Sequence, residues 1–151
     1  MKTPTRQQLM IRLAKARRVL AKFGIDGTSD YAEVIVAEAL GGERVPSGVN
    51  QGYDLIVPKF GRVEVKCRQL PRDGRCEERV DLRDTKADGF DHLAVVVFFP
   101  DYSVKGAVLV PYEQVWPIIE SRTYRRIGYS EARHLDGAVD ITEPVSAAAS
   151  R

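Results

Sequence analysis

The N-terminal segment carries apolar residues at alternating spacings of four and three. Over residues 5–23 these positions are Leu9, Leu13, Ala16, Leu20 and Phe23. Because this spacing places side chains on one side of a helix, it predicts a helix with a single apolar stripe. The stripe needs a partner, which is either the body of the domain or a second copy of the chain. Gly24 and Gly27 end the pattern.

A second helix is predicted to begin at Ser29-Asp30 and to end at Gly41-Gly42. Asp30 followed three residues later by Glu33 is typical of a capping box. The segment is apolar on nearly every side, so we expect it to be buried. Burial makes charge costly, so Glu33 and Glu38 each need a partner or a role.

Runs rich in apolar and β-branched residues predict strands downstream. They cover residues 43–46, 53–57, 62–68, 93–99 and 105–110. Pro111 begins a further helix that reaches Ile119, with a helical turn expected earlier, after Asp84. The chain from Ser121 is weakly patterned, and residues 146–151 are expected to fray.

The order of these elements predicts a single α/β (α+β) domain over residues 1–151. We expect a mixed central sheet of about four to five strands flanked by helices, with an extra basic N-terminal helix over residues 1–25. The longest apolar run, residues 93–99, is far shorter than the roughly 20 residues that cross a membrane. The basic N-terminus lacks the apolar core of a secretory signal. Cys67 and Cys76 form no metal-binding or disulfide framework, so we expect a cytoplasmic protein.

Charge is distributed unevenly along the chain. Residues 1–25 contain seven of the 23 basic residues and no acid, whereas the remainder carries 16 basic residues against 21 acids. A concentrated cationic segment favours a polyanionic partner, because Lys and Arg displace counterions from phosphates. Lys15, Arg18 and Lys22, which lie off the apolar stripe and are termed here the basic helix face, are expected to contact nucleic acid. The alternative is a solvated helix surface.

The most informative residues lie on two predicted strands joined by a tight turn at residues 58–61. Asp54 opens the first strand, and Glu64 and Lys66 lie together on one face of the second. A hairpin brings the two carboxylates side by side, where they repel each other unless a cation binds. Mg²⁺ or Mn²⁺ suits such hard oxygen ligands. Lys66 is then placed to orient water or to stabilise charge on phosphorus.

Asp54 is followed after nine residues by the triplet Glu64-Val65-Lys66, and a predicted helix that bears Glu33 precedes both. This pattern resembles that of the PD-(D/E)XK nuclease superfamily. The resemblance covers residues 30–68 and implies a restriction-endonuclease-like fold. It also implies a Mg²⁺-dependent (or Mn²⁺-dependent) endonuclease that hydrolyses phosphodiester bonds in DNA. In that family Asp54, Glu64 and the carbonyl of Val65 would bind the metal. Lys66 would be the catalytic lysine, and Glu33 the additional acid from the helix.

The residue pattern leaves alternatives open for the site. A second acid-x-Lys triplet at residues 84–86 shows that the triplet alone is a weak signal. Glu64 and Lys66 would otherwise form an ion pair of little energetic value on an exposed sheet face. On the helix, either Glu33 or Glu38 could supply the additional acid. The family's placement of that acid near the start of the helix favours Glu33.

DNA contacts are also expected outside the metal site. Gln51 and Arg68 are predicted to reach phosphate, with an ordinary surface arginine as the alternative for Arg68. A basic cluster with one tyrosine at residues 122–126 is either a backbone contact or a solvated helix end. Cleavage of a duplex usually needs two sites, so the striped helix predicts a C2 homodimer. The alternative function is a non-catalytic DNA-binding or scaffold module that retains the fold.

Overall fold

The computed structural model describes residues 2–46, 52–73 and 77–151. The helices in these ranges are α1 (Arg6–Ala21), α2 (Thr28–Leu40), α3 (Tyr112–Ser121), α4 (Tyr129–Ala132) and α5 (Thr142–Ala149). The strands are β1 (Glu43–Arg44), β2 (Leu55–Val57), β3 (Gly61–Gln69), β4 (Arg79–Asp81), β5 (His92–Phe98), β6 (Val104–Pro111), β7 (Arg126–Gly128) and β8 (Val139–Asp140).

Six strands form one mixed sheet in the order β1-β2-β3-β5-β6-β8. Strands β3 and β5 run parallel, and the other neighbours are antiparallel. The predicted mixed sheet with flanking helices is confirmed, with six strands where about four to five were expected. The sixth is β8, whose two exposed residues give no hydrophobic signal in the sequence.

Two layers cover the sheet. Helices α2 and α5 pack on one face, against the side of β3 that carries Val63 and Val65. The two-stranded sheet β4-β7 and helices α3 and α4 pack on the other face. Strand β5 is buried on both sides, as its apolar run predicts. Since residues alternate along a strand, Glu64 and Lys66 point toward the second face.

Helix α2 buries its apolar side against the sheet, as predicted, and ends at Gly41 in the left-handed conformation with φ of 67°. The capping box predicted at its start is wrong, because the N-cap is Gly27 and makes no side-chain cap hydrogen bond. The carboxylates of Asp30 and Glu33 bind Arg44 of β1 instead.

The C-terminal segment packs on α2, and the predicted fraying of residues 146–151 is wrong for most of that range, which lies in helix α5. Val145 and Ala148 are buried. The Thr142 hydroxyl accepts a hydrogen bond of 3.0 Å from the Ala107 N–H. A helix of eight residues is marginal alone, so contact with α2 stabilises it where the local pattern is weak.

Two other local predictions had opposite outcomes. Helix α3 follows Pro111, as predicted, and continues through Pro117 to Ser121. The helical turn predicted after Asp84 is wrong, because the described residues between β3 and β5 form turns and strand β4, which pairs with β7.

Helix α1 exposes its apolar stripe. It forms as predicted, with a capping box in which Thr5 and Gln8 exchange hydrogen bonds of 2.8 and 3.2 Å. No residue of α1 is buried, and Leu9, Leu13 and Leu20 are 49%, 42% and 41% exposed. The body of the domain therefore does not cover the stripe, and contact with a second copy stays a prediction. No helix in the described ranges has both the length and the apolarity that a membrane crossing requires.

Candidate active site

Asp54 lies where β2 and β3 separate. Its N–H donates to the Val63 carbonyl and its carbonyl accepts from the Val45 N–H, both at 2.9 Å. The Asp54 side chain then continues the pairing, because its Oδ2 accepts a hydrogen bond of 2.8 Å from the Val65 N–H. These bonds fix the carboxylate against the edge of β3. Since the N–H and C=O of one strand residue point to the same side, the Val65 carbonyl faces this edge as well.

Glu64 and Lys66 lie on the face of β3 opposite to Val63 and Val65, next to the strand edge that Asp54 occupies. The Lys66 Nζ lies 3.0 Å from the Glu64 Oε1, and the two side chains are only 21% and 10% exposed. The ion pair that the alternative predicts is therefore present, but it lies on a largely buried face of the sheet and not on an exposed one. Partial burial of the pair holds the ammonium group beside the carboxylate, and the charge of Lys66 also favours the ionised form of Asp54.

The acidic groups make one another's ionisation costly. Burial, and after it the charge of Asp54, raises the pKa of Glu64 to about 7, although Lys66 opposes the rise. Burial also raises the pKa of Asp54, against the effect of the hydrogen bond from the Val65 N–H. Desolvated carboxylates this close together favour either a bound proton or a bound cation.

Arg44 of β1 holds the acidic residues of α2. Its Nη2 and Nε donate to the Glu33 Oε2 at 2.8 and 3.0 Å. The same Nη2 donates to the Asp30 Oδ1 at 2.8 Å, and Nη1 donates to the Gly24 carbonyl at 3.0 Å. One guanidinium therefore joins the loop after α1, the start of α2 and strand β1.

Glu33 is the helix acid that reaches Asp54, and Glu38 is exposed on the same helix. Glu33 lies close enough to Asp54 for the charge of that carboxylate to act on it. Burial raises the pKa of Glu33, the hydrogen bond from Arg44 lowers it, and the charge of Asp54 raises it further. The structure thus brings together all four residues predicted as catalytic.

The donor set suits a hard cation that keeps much of its own water. Asp54 and Glu64 supply carboxylate oxygens, and the Val65 carbonyl faces the same edge of β3. Among the residues the structure describes, no group of three or more His, Cys, Asp or Glu side chains is arranged to hold a metal ion. Mg²⁺ is commonly bound by only one or two carboxylates, with water and substrate oxygens as its other ligands. The residues present therefore fit Mg²⁺ or Mn²⁺ better than an ion that needs a full protein cage.

The residues predicted to contact DNA are more dispersed. Arg68 is exposed and shares the β3 face of Glu64 and Lys66. The basic helix face is exposed along α1 and its C-cap. Gln51 lies outside the described residues.

Two weaker sequence signals lie outside this site. Arg122 forms an ion pair with Glu131, so the cluster at residues 122–126 is partly neutralised, while Tyr124 is 77% exposed. In the second acid-x-Lys triplet, the buried Thr85 hydroxyl donates to the Leu82 carbonyl at 2.6 Å within a turn. That triplet is therefore part of a turn and not of a strand.

Arg44 is the site residue that the sequence pattern did not reveal. The available signal is the pair of acids Asp30 and Glu33 on a largely apolar helix, whose spacing is also typical of a capping box. Two carboxylates on a half-buried surface also require a cation. An arginine in the next strand supplies it.

Comparison with known proteins adds no family assignment. No protein-family model matches the chain, and no curated protein matches it either. The functional interpretation therefore rests on the residues and their geometry.

Proposed function

We propose that this protein is a Mg²⁺-dependent endonuclease of the PD-(D/E)XK type, which hydrolyses phosphodiester bonds in DNA. The observation that carries the proposal is the convergence of Asp54, Glu64 and Lys66 at the point where β2 and β3 separate. Glu33 of α2 lies near enough to Asp54 for the two acids to interact electrostatically. Three different elements thus contribute to one partly buried acidic site that contains a single ammonium group.

The two carboxylates and the Val65 carbonyl would hold the ion. A bound Mg²⁺ or Mn²⁺ supplies Lewis acidity toward the phosphate and lowers the pKa of bound water. Asp54 is suited to binding because the Val65 N–H fixes one of its oxygens and so orients the other. Glu64 is suited because burial and the charge of Asp54 raise its pKa in spite of Lys66, so that a bound cation would favour its ionised form.

Lys66 acts on the reacting groups rather than on the fold. Its Nζ is held 3.0 Å from Glu64, which fixes the ammonium group beside the ligand oxygens. From this position it can donate hydrogen bonds to the phosphate oxygens and stabilise the charge that develops on them. Arg68, exposed on the same face of β3, extends the cationic surface along which the DNA backbone would lie.

A cleavage assay tests this function. Labelled duplex, junction, flap and single-stranded DNA are incubated with Mg²⁺, Mn²⁺, Ca²⁺ or EDTA. We expect cleavage of at least one form with Mg²⁺ or Mn²⁺, none with EDTA, and loss of cleavage in Asp54→Ala, Glu64→Ala and Lys66→Ala. Lys86→Ala, from the second acid-x-Lys triplet, is the matched control and should retain activity.

The same experiment separates the enzyme from a non-catalytic module. The enzyme predicts that Lys66→Ala still binds the DNA form that the wild type cleaves. DNA binding by the wild type without cleavage of any form would indicate a binding or scaffold protein instead. Cleavage that persists in EDTA, or full activity in all three site variants, would contradict the proposed site.

A further inference from the structure

Helix α1 and the residues directly after it carry more than half of the large exposed hydrophobic residues of the described chain. Of the twelve large hydrophobic residues that are exposed there, seven lie between residues 9 and 23. Soluble monomers rarely expose a contiguous apolar surface of this kind, and such surfaces mark interaction sites. The helix therefore requires an occupant for its stripe.

We propose that α1 pairs with α1 of a second copy of this chain, in antiparallel orientation. The stripe has spacings of 4, 3, 4 and 3, which is the two-per-heptad repeat of a coiled coil. We term it the α1 seam, and it consists of Leu9, Leu13, Ala16, Leu20 and Phe23. Met10 and Val19 flank the seam and are also exposed, so the apolar surface extends to either side of it.

The charges of α1 favour a second copy over DNA or a membrane surface as the occupant. At about 100° per residue, Lys15, Arg18 and Lys22 lie on the side opposite the α1 seam. Pairing through the seam therefore keeps these cations in water and available to phosphate. The DNA backbone is charged and does not bury leucine side chains. A helix that lies on a membrane surface separates its apolar and charged faces, whereas in α1 the apolar Ile11 is 50% exposed on the side of the cations.

The residues that flank the seam select the antiparallel orientation. Arg12 lies on one side of it and Arg17 on the other, and the helix contains no acid. In a parallel pair, Arg12 of each copy faces Arg17 of the other, and nothing neutralises either. In an antiparallel pair Arg12 faces Val19 and Arg17 faces Met10, so both repulsions disappear.

The pairing has a structural consequence that does not depend on the proposed nuclease activity. The α1 seam lies at the two-fold axis, the two domain bodies extend from its opposite ends, and the basic helix face of each copy points outward. A two-fold pair of this kind presents two acidic sites in symmetric positions, and only the use of that symmetry on a DNA duplex rests on the proposed function.

The mass of the full chain in solution tests the pairing. Sedimentation velocity from low to high micromolar concentration should show a monomer–dimer equilibrium. Leu13→Asp places an unpaired carboxylate in the seam and should raise the dimer dissociation constant by at least about tenfold. Ile11→Asp is the matched control, since it adds the same charge to the opposite side of the same helix, and it should dimerise like the wild type.

Two results would overturn the proposal. One is a monomer at every concentration, and the other is an equal effect of Leu13→Asp and Ile11→Asp on association. If a monomeric wild type bound anionic phosphatidylserine vesicles and Leu13→Asp did not, the seam would belong to a membrane surface instead.

Disulfide trapping tests the orientation. In the antiparallel pair Leu13 of one copy adjoins Ala16 of the other. Mixing Leu13→Cys with Ala16→Cys and oxidising should therefore give a covalent dimer that neither variant gives alone, with wild-type Cys67 and Cys76 as background. Efficient trapping of Leu13→Cys by itself would show a parallel pair and overturn the antiparallel arrangement.

Discussion

Replacing Glu64 by glutamine removes the most strongly destabilised charge of the site. Burial and the neighbouring Asp54 raise its pKa from the ordinary 4.5 to about 7, even with Lys66 beside it. The raised pKa means that the folded state binds a proton on the Glu64 carboxyl more tightly than the unfolded state does. The stability that this protonation contributes is therefore fully present below pH 4.5. That contribution is lost as the pH rises through 7.

The size of the effect follows from the pKa difference. Each pKa unit corresponds to about 1.4 kcal/mol, so ionised Glu64 costs the metal-free protein about 3 kcal/mol above pH 7. The side chain is 10% exposed, so solvent screens this cost little. Glutamine stays neutral at every pH. The Glu64→Gln variant should match the wild type near pH 4.5 and exceed its stability by up to about 3 kcal/mol at pH 8.

Urea denaturation with EDTA at pH 4.5 and pH 8, followed by the fluorescence of the single tryptophan, Trp116, measures this difference. Adding Mg²⁺ at pH 8 should then stabilise the wild type and not Glu64→Gln, since a ligand that binds only the folded state raises its stability. Glu38→Gln, on the exposed side of α2, is the control and should show neither effect. A Glu64→Gln protein less stable than the wild type at pH 8, or a difference that is the same at both pH values, would refute the reasoning.

Three further changes test Arg44, the sheet packing and the basic helix face. Arg44→Gln removes the hydrogen bonds that hold Glu33. It should lower the Mg²⁺ affinity or the cleavage rate about 10–100-fold, and Arg44→Lys should recover part of that loss. A Mg²⁺ titration of cleavage that matches the wild type would contradict this. At Gly106 a Cβ would overlap the ring of Tyr129, so Gly106→Ala should lower the free energy of unfolding, measured in urea, by about 1–3 kcal/mol. Gly128→Ala is the control, because a Cβ there meets open space. Equal effects of the two substitutions would be inconsistent with that packing. Changing all three residues of the basic helix face to glutamine should weaken the salt dependence of DNA binding. Measured by fluorescence anisotropy, the slope of log affinity against log salt concentration should fall in magnitude by up to about 3. An unchanged slope would exclude these residues from phosphate contact.

The sequence predicted the parts of the fold whose signal is local and periodic. The seven-residue apolar run of β5 indicates a strand covered on both sides, and the alternation of β3 indicates which of its residues face α2. The same alternation predicted that Glu64 and Lys66 share a face, and the hairpin predicted that Asp54 approaches them. The burial of that face was not predictable, because β4 and β7, which help to cover it, are short and polar.

Features that depend on distant contacts were not visible in the sequence. Helix α5 is fixed by its packing on α2 and by the hydrogen bond between Thr142 and Ala107, which are 35 residues apart in the chain. Arg44 joins three elements through one guanidinium, and no local pattern marks it. In both cases tertiary contacts outweigh local propensity, which is weak in segments of two to eight residues.

Manganese binding measured by electron paramagnetic resonance tests most directly whether Asp54 and Glu64 share one cation. The signal of free Mn²⁺ falls when the ion binds to protein, so a titration gives both the number of sites and their affinity. We expect a site in the wild type that is lost or weakened at least about tenfold in Asp54→Asn and in Glu64→Gln and is retained in Glu38→Gln. Equal Mn²⁺ binding by all four proteins would contradict the proposed metal site.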